Sequence, residues 1–215
     1  MHLLLAGGRQ VRYYRFDGQW STPTTLEASA PTQTGRVALA RDNGKVYALF
    51  CDDAGTLKLR SAADGPSRSF TAATPVMKDL APRSCGASAL AEGSSLHIAF
   101  ADSKSGESTI TYLKTDLLGG LHANTALATV KRHAAEFAGY HLLRRGDRLW
   151  LVTVSPKDML RIVRGDRASG HWAPSEDTSW RASFGVSAAL GPDGALQVAH
   201  WDPLTQRPRL STICP

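Results

Sequence analysis

The chain has 215 residues, 42% of them hydrophobic and 20% charged, with 19 Gly, 11 Pro, a formal net charge of +6 and a pI near 9.5. Such a composition excludes a disordered or fibrous chain and suits many short strands joined by tight turns; nothing in it approaches the run of about 20 apolar residues that a membrane-spanning helix needs. The positive balance favours acidic partners such as nucleic acid, anionic lipid or sulfated and sialylated glycans, but Lys131 to Arg181, the most basic region, also carries Glu136, Asp147, Asp158, Asp166, Glu176 and Asp177, the pattern of a mixed solvated surface.

The start of the chain, MHLLLAGG, has no basic n-region and too short an apolar run for a signal peptide. The expectation is a soluble protein without membrane insertion, cytoplasmic or secreted by a non-standard route. Cys51, Cys85 and Cys214 are odd in number and lack metal-type spacing, so no disulfide framework follows from them. Buried or incidental thiols are expected, with one disulfide left open for a secreted form.

In chain order, His2 to Ala6 is apolar, Gln10 to Phe16 alternates, Asp17-Gly18 turns, and Trp20 to Leu26 is a Pro-containing edge strand. These read as the last three strands of a four-stranded unit. The next unit is complete: Arg36 to Ala40, VYALF from Val46, TLKLRSA from Thr56, and a last strand near Arg68 to Ala73. Its strands are separated by Asp42-Asn43-Gly44, Asp52-Asp53-Ala54-Gly55 and Asp64-Gly65, and Asn-Gly and Asp-Gly are strong hairpin signals.

A third unit follows as Ala87 to Ala91, Leu96 to Ala101, Thr109 to Lys114 and Leu121 to Leu127. A fourth follows as Tyr140 to Arg144, Leu149 to Val154, Met159 to Arg164 and His171 to Pro174. Val186 to Leu190, LQVAHW from Leu196 and PRLSTI from Pro208 end the chain as three strands without a fourth.

The pieces VYALFCD, LHIAFAD, LWLVTVS and LQVAHWD recur roughly every fifty residues, a period that signals a propeller or solenoid. The reading is all-β: one β-propeller domain over 1–215, five-bladed, with four-stranded antiparallel blades near 1–30, 36–76, 86–128, 139–177 and 185–215, the two terminal blades incomplete. Three alternatives stay open. Pairing of N- and C-terminal strands in one blade would leave four blades and spare strands, closure between chains would make a homo-oligomer, and the chain would otherwise be part of a longer protein.

Loops after the second and fourth strands share the face where propellers usually bind ligands. That face would carry Asp52, Asp53, Asp102, Lys157, Asp158 and Asp202, with His133, Glu136, Trp180 and Arg181 on longer linkers. Two suitably spaced carboxyl groups suffice for glycoside hydrolysis, which makes Asp52, Asp102, Asp158 and Asp202 the catalytic candidates of a hydrolase, lyase or cyclase. Asp after a strand also caps a turn, and recurrence at one blade position is what duplicated turns produce. Trp20 and Trp172 occupy equivalent places after Gly-containing turns, with Phe70 in the same place and Leu121 replacing them in the third unit. There an aromatic can stack on a sugar ring or seal one blade against the next.

No metal set is expected: His133, Glu136 and His141 lack ligand spacing. No cofactor is expected either. Arg-Gly-Asp occurs at Arg145 to Asp147 and at Arg164 to Asp166, where turn chemistry explains it.

Blades reading LHIAFAD, VYALFCDDAGTLKL, FDGQW and SGHW resemble the fungal and bacterial β-propeller lectins, including the fucose-binding and tachylectin-like groups. The resemblance covers nearly the whole chain and implies a glycan or small-molecule ligand bound without catalysis. Trp20, Trp172 and Phe70 would stack on the sugar, and Asp52, Asp102 and Asp202 would bond its hydroxyls. Fucose-binding members carry an Arg on the second strand and a Glu on the third. This chain has Leu49 or Ala99 near the first place and Lys58, Thr111 or Arg161 near the second. A protein-interaction scaffold is the third reading.

Overall fold

The computed structural model describes residues 1–30, 37–66, 69–82, 85–105, 107–116, 121–131 and 139–213, and all of its regular structure is strand. Blade one holds β1 (His2–Gly7), β2 (Gln10–Asp17), β3 (Gln19–Trp20) and β4 (Thr24–Glu27); blade two holds β5 (Ala38–Asp42), β6 (Lys45–Cys51), β7 (Leu57–Ala63) and β8 (Thr74–Met77). Blade three is β9 (Ala87–Glu92), β10 (Ser95–Ser105), β11 (Glu107–Asp116) and β12 (Leu121–Lys131). Blade four is β13 (Tyr140–Arg145), β14 (Arg148–Val154), β15 (Met159–Asp166) and β16 (Glu176–Arg181), and blade five is β17 (Ser183–Leu190), β18 (Leu196–Asp202) and β19 (Arg207–Ile213).

Blades two to five are antiparallel meanders in sequence order, and in blade one β3 and β4 both pair with β2. Asn43 and Gly44 have φ of 47° and 69°, the left-handed pair that a two-residue hairpin demands, which is why that turn reads so clearly. Among the described residues blade one has no inner strand and blade five no outer one: β2 pairs β4 at Val11–Glu27 as β7 pairs β8 at Leu57–Met77, so β1, β2 and β4 match β6, β7 and β8. The terminal strands belong to separate sheets, which corrects the alternative of a blade shared between the two ends.

Burial follows from the stacking of blades. In β6 and β14 every residue after the first is buried, because both faces of a central blade meet a neighbour. In β18 burial alternates strictly, since only one face of the last blade is covered. The core accordingly divides into apolar layers between blades one and two, between two and three, and across three, four and five.

Three expectations need correction. The outer strands of blades two and four lie later than 68–73 and 171–174, at Thr74–Met77 and Glu176–Arg181, because the chain first touches the end of the third strand with an aromatic and only then pairs with its beginning. In blade one the same detour splits the edge strand into β3 and β4 around Pro23. Finally, Cys51 and Cys85 are not incidental thiols: they form a disulfide across 34 residues, tying the end of β6 to the approach to β9.

Candidate functional site

Trp20, Phe70 and Trp172 are equivalent in three dimensions. The residue after each donates its backbone N–H to the third strand of its blade at the same distance: Ser21 to Arg15 O, Thr71 to Ser61 O and Ala173 to Arg164 O, all 2.8 Å. Their surroundings differ. Trp172 is only 9% exposed, with its ring over Gly165 and 4.9 Å from that of Tyr112 in blade three. Phe70 meets Tyr13 of blade one in the same way, also at 4.9 Å. Both tyrosines are fixed by a histidine on the second strand: His97 Nδ1 lies 2.7 Å from Tyr112 Oη and His2 Nδ1 lies 2.6 Å from Tyr13 Oη. Phe70 and Trp172 therefore pack one blade onto the preceding one, the sealing arrangement that the sequence left open beside sugar stacking. Trp20 remains 46% exposed against Phe16.

The aspartates hold turns. Asp52 Oδ1 accepts from the N–H groups of Ala54 and Thr56 at 3.1 and 2.9 Å, and Asp202 Oδ1 accepts from Leu204 N–H at 2.9 Å. In blade four Ser155 stands at this place, its Oγ accepting from Lys157 N–H, so Asp158 belongs to a different part of the turn, with φ of 57°. The side chain of Asp102 lies outside the described part, as do His133 and Glu136. Asp53 is exposed and faces Arg9, and His141 Nε2 bonds Val186 O at 2.8 Å.

The second oxygen of each capping aspartate meets a cation near the start of the third strand. Asp52 Oδ2 lies 3.0 Å from Lys58 Nζ, and Asp202 Oδ2 lies 2.8 Å from Arg209 Nε. In blade two this pair is closed from across the junction, because Glu27, the last residue of β4, puts Oε2 at 2.8 Å from Lys58 Nζ. Burial opposes its charge, but Lys58 and the Ser29 and Ala28 groups win and hold the Glu27 pKa at about 2.

Between blades four and five the same place is open. Where β4 ends in Glu27, β16 ends in Trp180 and Arg181, and a second guanidinium cannot close on Arg209. The result is a cleft of about 550 Å³ lined by Trp180, Arg181, His200, Asp202, Arg209 and Ser211, among others. Trp180 rests partly on the core. His200 Nε2 shares a hydrogen bond with Ser211 Oγ at 2.9 Å; burial lowers its pKa, against the opposing pull of the Arg181 backbone and Asp202, and leaves the ring neutral at pH 7. Asp202 is pushed up by burial, but bonds from Leu204 and Thr205 and the charge of Arg209 prevail and keep it below its ordinary 3.8.

A second cavity, about 510 Å³, lies on the axis among the inner strands β5, β9, β13 and β17. Leu39, Arg41, Leu90, Leu143, Arg144 and Leu190 are among its lining residues. It opens at the end where β5 turns into β6, opposite to Asp52, so the described catalytic candidates Asp52, Asp158 and Asp202 do not line it.

Of the described ligand candidates, only Asp202 borders the inter-blade cleft. Trp180 and Arg181, expected on linkers, lie on a strand; Arg209 was not singled out, although its place repeats that of Lys58 and Arg161.

No family model matches the chain, and no curated protein matches it. Among solved structures it is similar to the Aleuria aurantia lectin in complex with α-methyl-L-fucoside, with a TM-score of 0.56 and 12% identity over 99% of this chain and 77% of the lectin. It is similar to NanB sialidase from Streptococcus pneumoniae, with a TM-score of 0.61 and 10% identity over 90% of this chain and 32% of the sialidase. An ulvan lyase of polysaccharide lyase family 25 gives 0.62 and 10%, over 92% and 61%. The chain thus spans less than two thirds of the sialidase and of the lyase. These likenesses define the scaffold: the protein is an all-β propeller of five sheets, of the kind on which propeller lectins and several polysaccharide-active enzymes are built.

Proposed function

We propose that the protein is a non-catalytic glycan-binding propeller that takes an acidic sugar, bearing a carboxylate or sulfate, in the cleft between blades four and five. The observation that carries this reading is the meeting of Trp180 with two guanidiniums, Arg181 and Arg209, at a place that the equivalent junction closes with Glu27. The indole supplies a face for the apolar side of a pyranose, the Arg181 fork binds the anion in bidentate fashion, and Ser211 and Asp202 are within the cleft to bond hydroxyls. A net charge of +6 suits such a ligand. The glycan complexes of similar propellers support the ligand class at the level of the scaffold.

A general acid needs a carboxyl whose pKa is raised toward neutrality, whereas that of Asp202 is lowered and both its oxygens are engaged. This favours binding over hydrolysis at the cleft. The test is an array of neutral, sialylated, uronate-bearing and sulfated glycans, probed with the wild type, Arg181→Ala and Trp180→Ala, each checked for folding by circular dichroism. Arg181 is exposed, so its removal leaves the fold intact. Loss of one charge-assisted bond weakens binding about tenfold or more. A folded wild type that binds no glycan, or one whose binding both variants retain in full, overturns the reading.

A further inference from the structure

Among the described residues, the large hydrophobic side chains left exposed are Met1, Leu5, Phe16 and Trp20 in blade one and Trp201, Leu204 and Leu210 in blade five. The described residues of blades two, three and four contribute none. In blade one, Leu4, Val11 and Tyr13 face blade two, and their strand neighbours turn Leu5 and Phe16 to the other side. In blade five, Leu196, Val198 and His200 are buried while Ala199 and Trp201 point away, with Leu210 opposite Ala199 in the sheet. The two ends of the array therefore present one free apolar face each, of opposite sense.

The internal junctions show what belongs on such faces. At two of them an aromatic at the outer edge of one blade, Phe70 or Trp172, packs on a third-strand residue of the preceding blade, Tyr13 or Tyr112. Trp20 is that aromatic for blade one, and it stands 46% exposed. The register answers the complementary question. Tyr112 stands opposite Ala99 in LHIAFAD, and Leu210 stands opposite Ala199 in LQVAHWD, so Leu210 occupies the receiving place in blade five. It is 69% exposed.

We propose that blade five of one copy receives blade one of a second copy, with Trp20 packed on Leu210, in a head-to-tail junction that repeats the two internal ones. One plug and one socket stand exposed at opposite ends of the described array, which is the requirement for a heterologous self-contact. A contiguous apolar face of this kind is also what marks a protein interface on a soluble surface. The proposal is independent of the glycan reading.

The test mixes two variants that each carry one free cysteine besides the Cys51–Cys85 pair, Gln19→Cys next to Trp20 and Pro208→Cys on the same face as Leu210, both in a Cys214→Ser background, with a short bismaleimide. The expected product is a covalent dimer containing one of each variant, formed in the mixture and not by either variant alone. In parallel, sedimentation shows a mass that rises with concentration for the wild type and stays monomeric for Trp20→Asp, whose melting temperature at high dilution is unchanged. Three outcomes overturn the proposal: no mixed product, a Gln19→Cys/Pro208→Cys double variant that cross-links only within its own chain, or a wild type that remains monomeric at every concentration.

Discussion

Gly165 lies directly beneath the indole of Trp172, where an added Cβ would stand 2.7 Å from the ring atoms Cδ2 and Cε3. The ring cannot retreat, because Tyr112 backs it from blade three. Gly165→Ala should destabilise the fold by about 1–3 kcal/mol through overpacking, and Trp172→Ala by about 3–5 kcal/mol through loss of a buried aromatic. Both effects are read as a fall in the urea midpoint. Were Trp172 instead a ligand-stacking residue, its removal would leave the midpoint near wild type and abolish binding.

Stability should fall in two separate steps as the medium is acidified. His97, buried and near the positive charge of Lys114, has its pKa lowered from 6.5 to about 4. A group whose folded pKa is depressed gives its full contribution above the unfolded value and loses it as pH falls through the folded one. The first step thus lies between about pH 6.5 and 4. Glu27, held at about 2 against an ordinary 4.5, gives the second, between about pH 4.5 and 2. Urea midpoints measured across this range should show that His97→Gln flattens the upper step and Glu27→Gln the lower. If both variants keep both slopes, these groups are not the titrating ones.

Much of the scaffold was legible because central blades are buried on both faces. That condition forces continuous apolar runs such as VYALF and LHIAFA, and a half-covered blade gives the alternation of LQVAHWD. The outer strands were less legible. The pairing of β8 with β7 rests on Met77, Pro75 and Thr74, too short a stretch to impose a hydrophobic period on the sequence.

The equivalence of Trp20, Phe70 and Trp172 could be read from their position after a turn. Whether each is sealed or open depends on what precedes its blade, and no local pattern records that. The recurrence of a cation near the start of the third strand was likewise visible in Lys58 and Arg161. What makes Arg209 part of a cleft is the residue ending the previous blade, a tertiary neighbour far away in sequence.

Reduction of the Cys51–Cys85 bond should lower stability substantially. The two cysteines close a loop of 34 residues, and the chain-entropy treatment of the unfolded state puts such a link at about 4 kcal/mol. Both residues are buried in the layer between blades two and three, so the double variant Cys51→Ala/Cys85→Ala loses packing as well. Thermal melts with and without reductant provide the measurement. Coincident curves, with reduction verified by mass, would show that the link contributes nothing.

The contrast between Glu27 and Arg181 can be tested by exchanging one for the other. Glu27 ends an outer strand, closes on Lys58 at 2.8 Å and fills its junction; Arg181 ends the corresponding strand of blade four and leaves Arg209 facing a cleft. Arg181→Glu should rebuild the closed arrangement, with the new carboxylate drawn to Arg209. Two effects are expected together. Binding of an acidic glycan is lost by far more than the tenfold of Arg181→Ala, because a like charge now faces the anion, while the melting temperature holds or rises. Arg181→Lys separates charge from geometry: it keeps the sign but not the planar fork, and should retain salt-sensitive binding at reduced affinity. Equal affinity for wild type and Arg181→Glu would remove the anion from the cleft and with it the reason for the second guanidinium.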